Sequence, residues 1–273
     1  MSAKALVIAG YGLNCEEETL YALEYNGLKG VVRHVNDMIE NPAELKDVQV
    51  LAVPGGFSYG DDTGSGNALG QKIKLSLMDA LKEFVARDTL TIGICNGCQV
   101  LVNLGLVPAL DGAYGNRDVA VTYNLSDRYQ CRWVDLKVSS SSPWLAGVEK
   151  LHIPVAHGEG RFVMEQEVLR RLQKNGQIAA TYVKPDGAAA DGEFPFNPNG
   201  AIADIAGMTD ETGRVLAMMP HPERGMFSWQ RDDYDVLKDQ AQREERRLTE
   251  ESDGMHIFAN AAEYFEVAKK KIA

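Results

Sequence analysis

Five residues, Gly93-Ile94-Cys95-Asn96-Gly97, constrain what this chain can fold into more than any others. They follow an apolar run, Leu90 to Ile94, that reads as a short buried strand. They open a segment, Asn96 to Leu104, that reads as a helix. A strand passing straight into a helix through so tight a turn belongs to a parallel α/β sheet. Glycines two residues before and after Cys95 are expected to let the backbone turn without a clash. The result is a nucleophile elbow with sulfur in place of oxygen. Cys95 is expected at the carboxyl edge of the sheet beside a helix N-terminus. There the helix dipole favours a thiolate, and the backbone N–H of Asn96 faces a developing oxyanion.

Plainer readings of Cys95 exist. A free cysteine is often a small buried apolar residue, and Cys95-x-x-Cys98 also fits a redox dithiol or half a zinc site. The chain has four cysteines but no second closely spaced pair for zinc, and His34, His152, His157, His221 and His256 are not spaced as finger ligands. A redox motif normally opens its helix after Trp or Pro, and neither flanks these cysteines. With both glycines in place, a covalent cysteine nucleophile is the reading carried forward, and no metal is expected.

The surrounding pattern agrees. Strands are predicted at Lys4 to Ala9, Gly30 to Val35, Val48 to Val53 and Leu90 to Ile94. Helices are predicted at Glu16 to Asn26, with Asn14 as N-cap, and at Ala68 to Arg87. Leu69, Ile73, Leu77, Leu81 and Phe84 recur at helical spacing and predict a core-facing stripe. Strands rich in Val, Ile and Leu that alternate with helices predict a mostly parallel sheet covered on both faces. The second half is richer in strand, with candidates at Cys131 to Val138, Leu151 to Val155, Gln177 to Val183, Ala201 to Ile205 and Val215 to Met219. Leu169 to Lys174 and Ile257 to Lys271 are expected to be helical. With no internal repeat or linker, residues 1–273 are expected to form a single domain. Arg231 to Asp253 is dense in charge, with a thin apolar stripe of Leu237, Ala241 and Leu248, and is expected to be a solvated helix or loop.

A cysteine nucleophile needs a base, and the base needs an orienting group. His221-Pro222-Glu223 supplies both directly after the apolar strand Val215 to Met219. That strand end would bring His221 to the edge that carries Cys95, with Glu223 close enough to accept a hydrogen bond from the imidazole. Pro54-Gly55-Gly56-Phe57 follows another strand, and its exposed N–H groups could complete an oxyanion hole. Neither a GxGxxG fingerprint nor a GxxxxGK[ST] phosphate loop occurs, so no nucleotide site is expected in this chain.

Composition narrows the partners. A formal charge of −11 argues against general nucleic-acid binding. No apolar run approaches the about 20 residues of a membrane span. Met1-Ser2-Ala3-Lys4 runs straight into strand-like sequence, so no secretory leader is expected, and the reducing cytoplasm is the expected setting.

Taken together, these residues resemble the class I, triad-type glutamine amidotransferases. More narrowly, they resemble the family of glutaminase subunits of phosphoribosylformylglycinamidine synthases. The resemblance rests on Gly93 to Gln99, Pro54 to Asp61 and His221-Pro222-Glu223-Arg224. It rests also on Gly12 to Cys15, Asn124 to Tyr129, Pro154 to Phe162 and Asn197 to Gly200, and runs from about residue 4 to 265. Gln130 stands where the family usually has an acidic residue, and the charged segment after Trp229 looks like an insertion near 231–253. The resemblance implies a flavodoxin-like α/β fold and hydrolysis of glutamine to glutamate and ammonia. Cys95 would be the nucleophile, His221 the acid and base, and Glu223 its orienting carboxylate. Gly56 and Asn96 would form the oxyanion hole through their N–H groups, and Gln99 would line the glutamine pocket. No cofactor is implied for this chain. Its partners would be a synthetase subunit that uses ATP and Mg2+ to convert formylglycinamide ribonucleotide to its amidine, and a small accessory subunit. A stand-alone γ-glutamyl hydrolase or cysteine peptidase, a scaffold with an idle triad, or a glutaminase serving another synthetase would use the same elbow.

Overall fold

The parallel half of the molecule is built as the alternation requires. In a computed structural model that describes residues 3–267, the strands are Lys4–Ala9 (β1), Lys29–His34 (β2), Val50–Val53 (β3), Leu90–Ile94 (β4), Ala120–Thr122 (β5) and Gln130–Val138 (β6). They continue with Lys150–His157 (β7), Arg161–Val163 (β8), Ile178–Val183 (β9), Ile205–Thr209 (β10) and Val215–Met218 (β11). The helices are Glu16–Tyr25 (α1), Val35–Glu40 (α2), Asn67–Ala86 (α3), Asn96–Leu104 (α4), Gln166–Asn175 (α5), Tyr234–Arg243 (α6) and Asp253–Tyr264 (α7).

Nine strands form one continuous sheet in the order β2-β1-β3-β4-β11-β10-β9-β6-β7, and β5 and β8 pair separately. Strands β2, β1, β3, β4 and β11 are mutually parallel. Beyond β11, β10, β9, β6 and β7 extend the sheet antiparallel. Every residue of β3, β4, β10 and β11 is buried. Successive side chains of a strand point to opposite faces, so both faces here are covered. Right-handed crossovers explain how. The chain steps from β1 outward to β2 through α1 but in the opposite direction from β3 to β4 through α3, which puts the two helices on opposite faces. The stripe of Leu69, Ile73, Leu77, Leu81 and Phe84 faces the core as its spacing predicts. The order 2-1-3-4 reverses direction between β1 and β3, the kind of switch point at which ligands of such sheets bind.

Local details differ from expectation for physical reasons. The helix after β1 is capped by Cys15, with no side-chain cap bond. Asn14 is instead taken up by the loop beside it: its N–H donates to Gly55 O at 3.0 Å and its Oδ1 accepts from Cys15 Sγ. The strand expected at Ala201 to Ile205 starts only at Ile205, where the expected one ends. Asp204 holds the preceding turn in place, since its carboxylate accepts the N–H groups of Asp191 and Gly192. The last helix begins four residues earlier than expected and ends at Tyr264; Lys269 to Lys271 lie outside the described residues. The charged segment is a solvated helix, α6, with Ala241 buried and Val236 exposed. It is stitched at both ends, through Ser228 N to Glu250 O at 2.9 Å and Ser252 N to Met226 O at 2.8 Å. Arg231 ties it further to Asp233 and Asp253, and His152 to Asp232. Among the described residues no helix is long and apolar enough to cross a membrane.

Candidate active site

Cys95 sits where β4 ends and α4 begins, with φ 51° and ψ −105°, a conformation that costs a non-glycine residue roughly 1–3 kcal/mol. The strain therefore falls on the cysteine itself. The flanking glycines keep the turn free of clashes, as expected, and do so without a positive φ. They permit close approach: a Cβ at Gly97 would stand 1.8 Å from Val53 O, and one at Gly93 2.6 Å from Gly97 O. The elbow is tied to the next strand by Cys95 N donating to Met218 O at 2.8 Å. The thiol, only 4% exposed, lies 3.6 Å from Ala156 O. Cys98 is buried behind it. Burial, with Cys95 alongside, pushes that second thiol well above the usual range and leaves it a neutral packing group.

Because β11 runs parallel to β4 and pairs Met218 with Ile94, the chain leaving β11 arrives at the same edge. His221 is fixed there by its N–H donating to Pro154 O at 2.8 Å. Its Nδ1 and Glu223 Oε1 are 2.5 Å apart, with both side chains buried. A carboxylate only accepts, so Nδ1 carries the proton and Nε2 is left to act. Among the described residues Nε2 has no hydrogen-bond partner. Burial opposes charge on the ring, but the Glu223 carboxylate and the Cys95 sulfur outweigh it and hold His221 well above its ordinary range. Burial likewise opposes the Glu223 charge, and His221 reverses it, so that the carboxyl titrates below its ordinary value. The Cys15 sulfur lies within 4.8 Å of a His221 ring nitrogen and of a Glu223 carboxylate oxygen. The structure thus brings Cys95, His221 and Glu223 together at the sheet edge, as their strand-end positions predict.

Asn96 and Gln99 extend the site along the first turn of α4. The Asn96 amide accepts from Ser58 N and donates to Asp61 Oδ1 and Gln99 Oε1. Gln99 Nε2 in turn donates to Glu159 O, and the Glu159 carboxylate accepts Ser65 N. Gly56, at φ 148°, lies where the loop after β1 meets the loop after β3. Phe57 N donates to Gly12 O at 2.8 Å, and a Cβ at Gly56 would stand 2.4 Å from that same oxygen. The glycine loop is therefore clamped from one side by Gly12 to Asn14 and from the other by the Asn96 side chain.

Sequence reasoning left several neighbours without a role. Asn124 donates to His157 O and accepts Gly160 N, fixing the segment that passes over Cys95. Gln130 is used locally, donating to Ser126 Oγ and accepting from Arg132. His157 is buried, and among the described residues neither ring nitrogen has a hydrogen-bond partner. A Cβ at Gly160 would collide with its ring at 2.3 Å, so that glycine makes room for it. Burial, reinforced by the charge of His221, lowers His157 to about 3. An unfolded imidazole takes up its proton near pH 6.5, so between 6.5 and about 3 the unfolded chain binds more protons and stability falls as the pH falls. His157→Gln is expected to flatten the decline of Tm across that window. Melting curves that fall in parallel for variant and wild type would contradict it.

With the geometry in view, the chain can be set beside known proteins. The model of the CobB/CobQ-like glutamine amidotransferase domain matches residues 2–265. Phosphoribosylformylglycinamidine synthase subunit PurQ of Methanococcus maripaludis is 45% identical over 265 residues, covering 96% of this chain and 97% of that one. The same subunit of Dehalococcoides mccartyi is 37% identical with the same coverage. Among solved structures, PurLQS from Thermotoga maritima aligns over 97% of this chain and all of the matched chain, with a TM-score of 0.70 and 28% identity. The chain belongs to the CobB/CobQ-like glutamine amidotransferase family and, within it, to the PurQ subunits of phosphoribosylformylglycinamidine synthase.

Proposed function

We propose that this chain hydrolyses glutamine and delivers the ammonia to a synthetase that converts formylglycinamide ribonucleotide to formylglycinamidine ribonucleotide in purine biosynthesis. The observation that carries the reading is the meeting of Cys95 with the buried His221–Glu223 pair at the ends of adjacent parallel strands, in a member of this family. Cys95 passes its thiol proton to His221 Nε2 as its Sγ attacks the side-chain amide carbon of glutamine, and the oxyanion that forms is held by the N–H groups of Asn96 and Gly56. His221 gives a proton to the departing nitrogen, which leaves as ammonia, and a glutamyl thioester remains on Cys95. His221 then takes a proton from water, whose oxygen attacks the thioester carbonyl. Glutamate leaves and the thiol is restored. Glu223 keeps the imidazole in the tautomer that exposes Nε2, and Gln99 forms one wall of the glutamine pocket. ATP and Mg2+ act in the partner synthetase, a small accessory subunit joins the two, and the setting is the cytoplasm. Residues 1–273 act as one unit, with the α6 segment as a solvated excursion.

One oxyanion donor is worth about 3–4 kcal/mol, and Gly56 is placed by loop-to-loop bonds rather than by a strand. Glutamine hydrolysis is therefore expected to be slow for the isolated chain and faster in the complex. The test is amidine formation by the synthetase with ATP, formylglycinamide ribonucleotide and glutamine, with and without this chain. Synthesis from glutamine only when the chain is present supports the reading. Hydrolysis of γ-glutamyl compounds by the chain alone, with no glutamine-dependent synthesis, would overturn the purine assignment.

A further inference from the structure

Arg224 follows the triad carboxylate in sequence and stands against it in space. Its Nε is 3.8 Å from Glu223 Oε1, the same oxygen that His221 Nδ1 holds at 2.5 Å. A half-exposed arginine would ordinarily extend into water, where its charge is screened. Here its Nη2 donates instead to Cys15 Sγ at 2.9 Å. Cys15 is fully buried at the head of α1, and its Sγ also donates to Asn14 Oδ1. One side-chain atom each of Cys15, His221 and Glu223 lies within 4.8 Å of the others. A Cβ at Gly55 would touch both the His221 ring and the Cys15 sulfur, so thiol and imidazole share one wall. A buried sulfur from the start of the chain thus keeps a cation beside the carboxylate that orients the base.

We propose that Arg224, anchored by Cys15, is a positioning residue that tempers the His221–Glu223 pair. The inference rests on the glutaminase reading. A buried carboxylate that faced the imidazole alone would make it so basic that it would give up its proton reluctantly. An acid–base group works best when its pKa lies near the operating pH. A guanidinium at the shared oxygen draws part of that negative charge, so the imidazolium is held less tightly. The same cation also feels the Cys95 sulfur. The groups that face this cluster are Cys95 from the elbow, Cys15 from the head of α1, His157 from the end of β7 and Tyr129 from the loop before β6. His157 is neutral across the working range and the Tyr129 phenol is pushed up mainly by burial. Arg224 is therefore the fixed cation among them.

Removing that charge raises both titrations of the His221–Glu223 pair, which share the oxygen it faces. The test is the pH dependence of kcat/KM for glutamine hydrolysis by the chain assembled with its synthetase. Arg224→Gln is expected to move both limbs of the profile to higher pH, by about one unit for a charge at this separation. KM for glutamine should stay unchanged. Cys15→Ala should move the limbs the same way by less, and Cys15→Ser, which restores an acceptor, should move them back. The Arg224→Gln, Cys15→Ala pair should shift no further than Arg224→Gln alone, because both act through one charge. Lower rates on an unshifted profile would mean a merely structural role and overturn the inference. So would a raised KM or weaker assembly with the profile unmoved. A wild-type complex that hydrolyses no glutamine would overturn the glutaminase reading itself and this inference with it.

Discussion

Cys95→Ser is expected to lower glutamine-dependent amidine synthesis by about 10⁴-fold or more, while synthesis from added ammonia stays at the wild-type level. Serine fits the site without disturbance, since it differs by one atom and can hold the strained φ of 51° as cysteine does. What it lacks is the acidity of a thiol. A hydroxyl beside His221 is ionised far less readily, and the elbow and helix dipole that favour a thiolate do little for an alcohol. Because the synthetase makes its own use of ammonia, the second half of the prediction isolates chemistry from folding. If ammonia-dependent synthesis failed as well, Cys95 would be holding the complex together rather than opening an amide. The assay is product formation by the assembled enzyme with glutamine and with ammonium salts in turn.

The second large effect is expected at a residue that touches no substrate. Gly97→Ala would place a methyl 1.8 Å from Val53 O and 2.6 Å from Val53 C. No rotamer can relieve that contact, because the group it meets is backbone in a strand whose four residues are all buried. Either α4 lifts away from β3 or β3 moves, and β3 leads directly into Pro54-Gly55-Gly56. The expected cost is about 3 kcal/mol or more, which for a chain of this size is a fall in Tm of roughly 6–12 °C. Loss of glutamine hydrolysis should accompany it, since elbow and glycine loop are both displaced. Calorimetry of Gly97→Ala against Gly147→Ala checks the cause. An added Cβ at Gly147 meets nothing within 4 Å, so only its φ of 70° should register, at about 1 kcal/mol. Equal melting temperatures for the two variants would contradict the close-approach account.

The meeting of Cys95, His221 and Glu223 was legible because Cys95 and His221 each follow a short apolar strand. Strand ends mark one edge of a parallel sheet, so Cys95 and His221 could be brought together across 125 intervening positions without any knowledge of contacts. Glu223 followed from its spacing to His221. The need for glycine at positions 93 and 97 was legible, but not what stands in the way of a side chain, which is Gly97 O for Gly93 and Val53 O of β3 for Gly97. The same holds for Asn14, read as a helix cap on residue type alone and claimed in the fold by Gly55. Contacts made through the antiparallel extension were also invisible. Asn124 holds His157 and Gly160 over a separation of 33 and 36 residues with no periodic signal to link them. Arg224 and Cys15 are 209 residues apart. A cysteine at the end of a glycine-rich turn after the first strand was the one available hint.

The proposed chemistry requires a covalent bond from the glutamyl group to one sulfur. The direct measurement is rapid acid quenching of the assembled enzyme during turnover of isotopically labelled glutamine, followed by peptide mapping of the bound label. A glutamyl group attached to the peptide that carries Cys95, released by hydroxylamine as a thioester should be and missing from Cys95→Ala, is the predicted result. Label on Cys15 or Cys98 instead, or glutamine consumed at full rate with no label trapped on any cysteine, would contradict it.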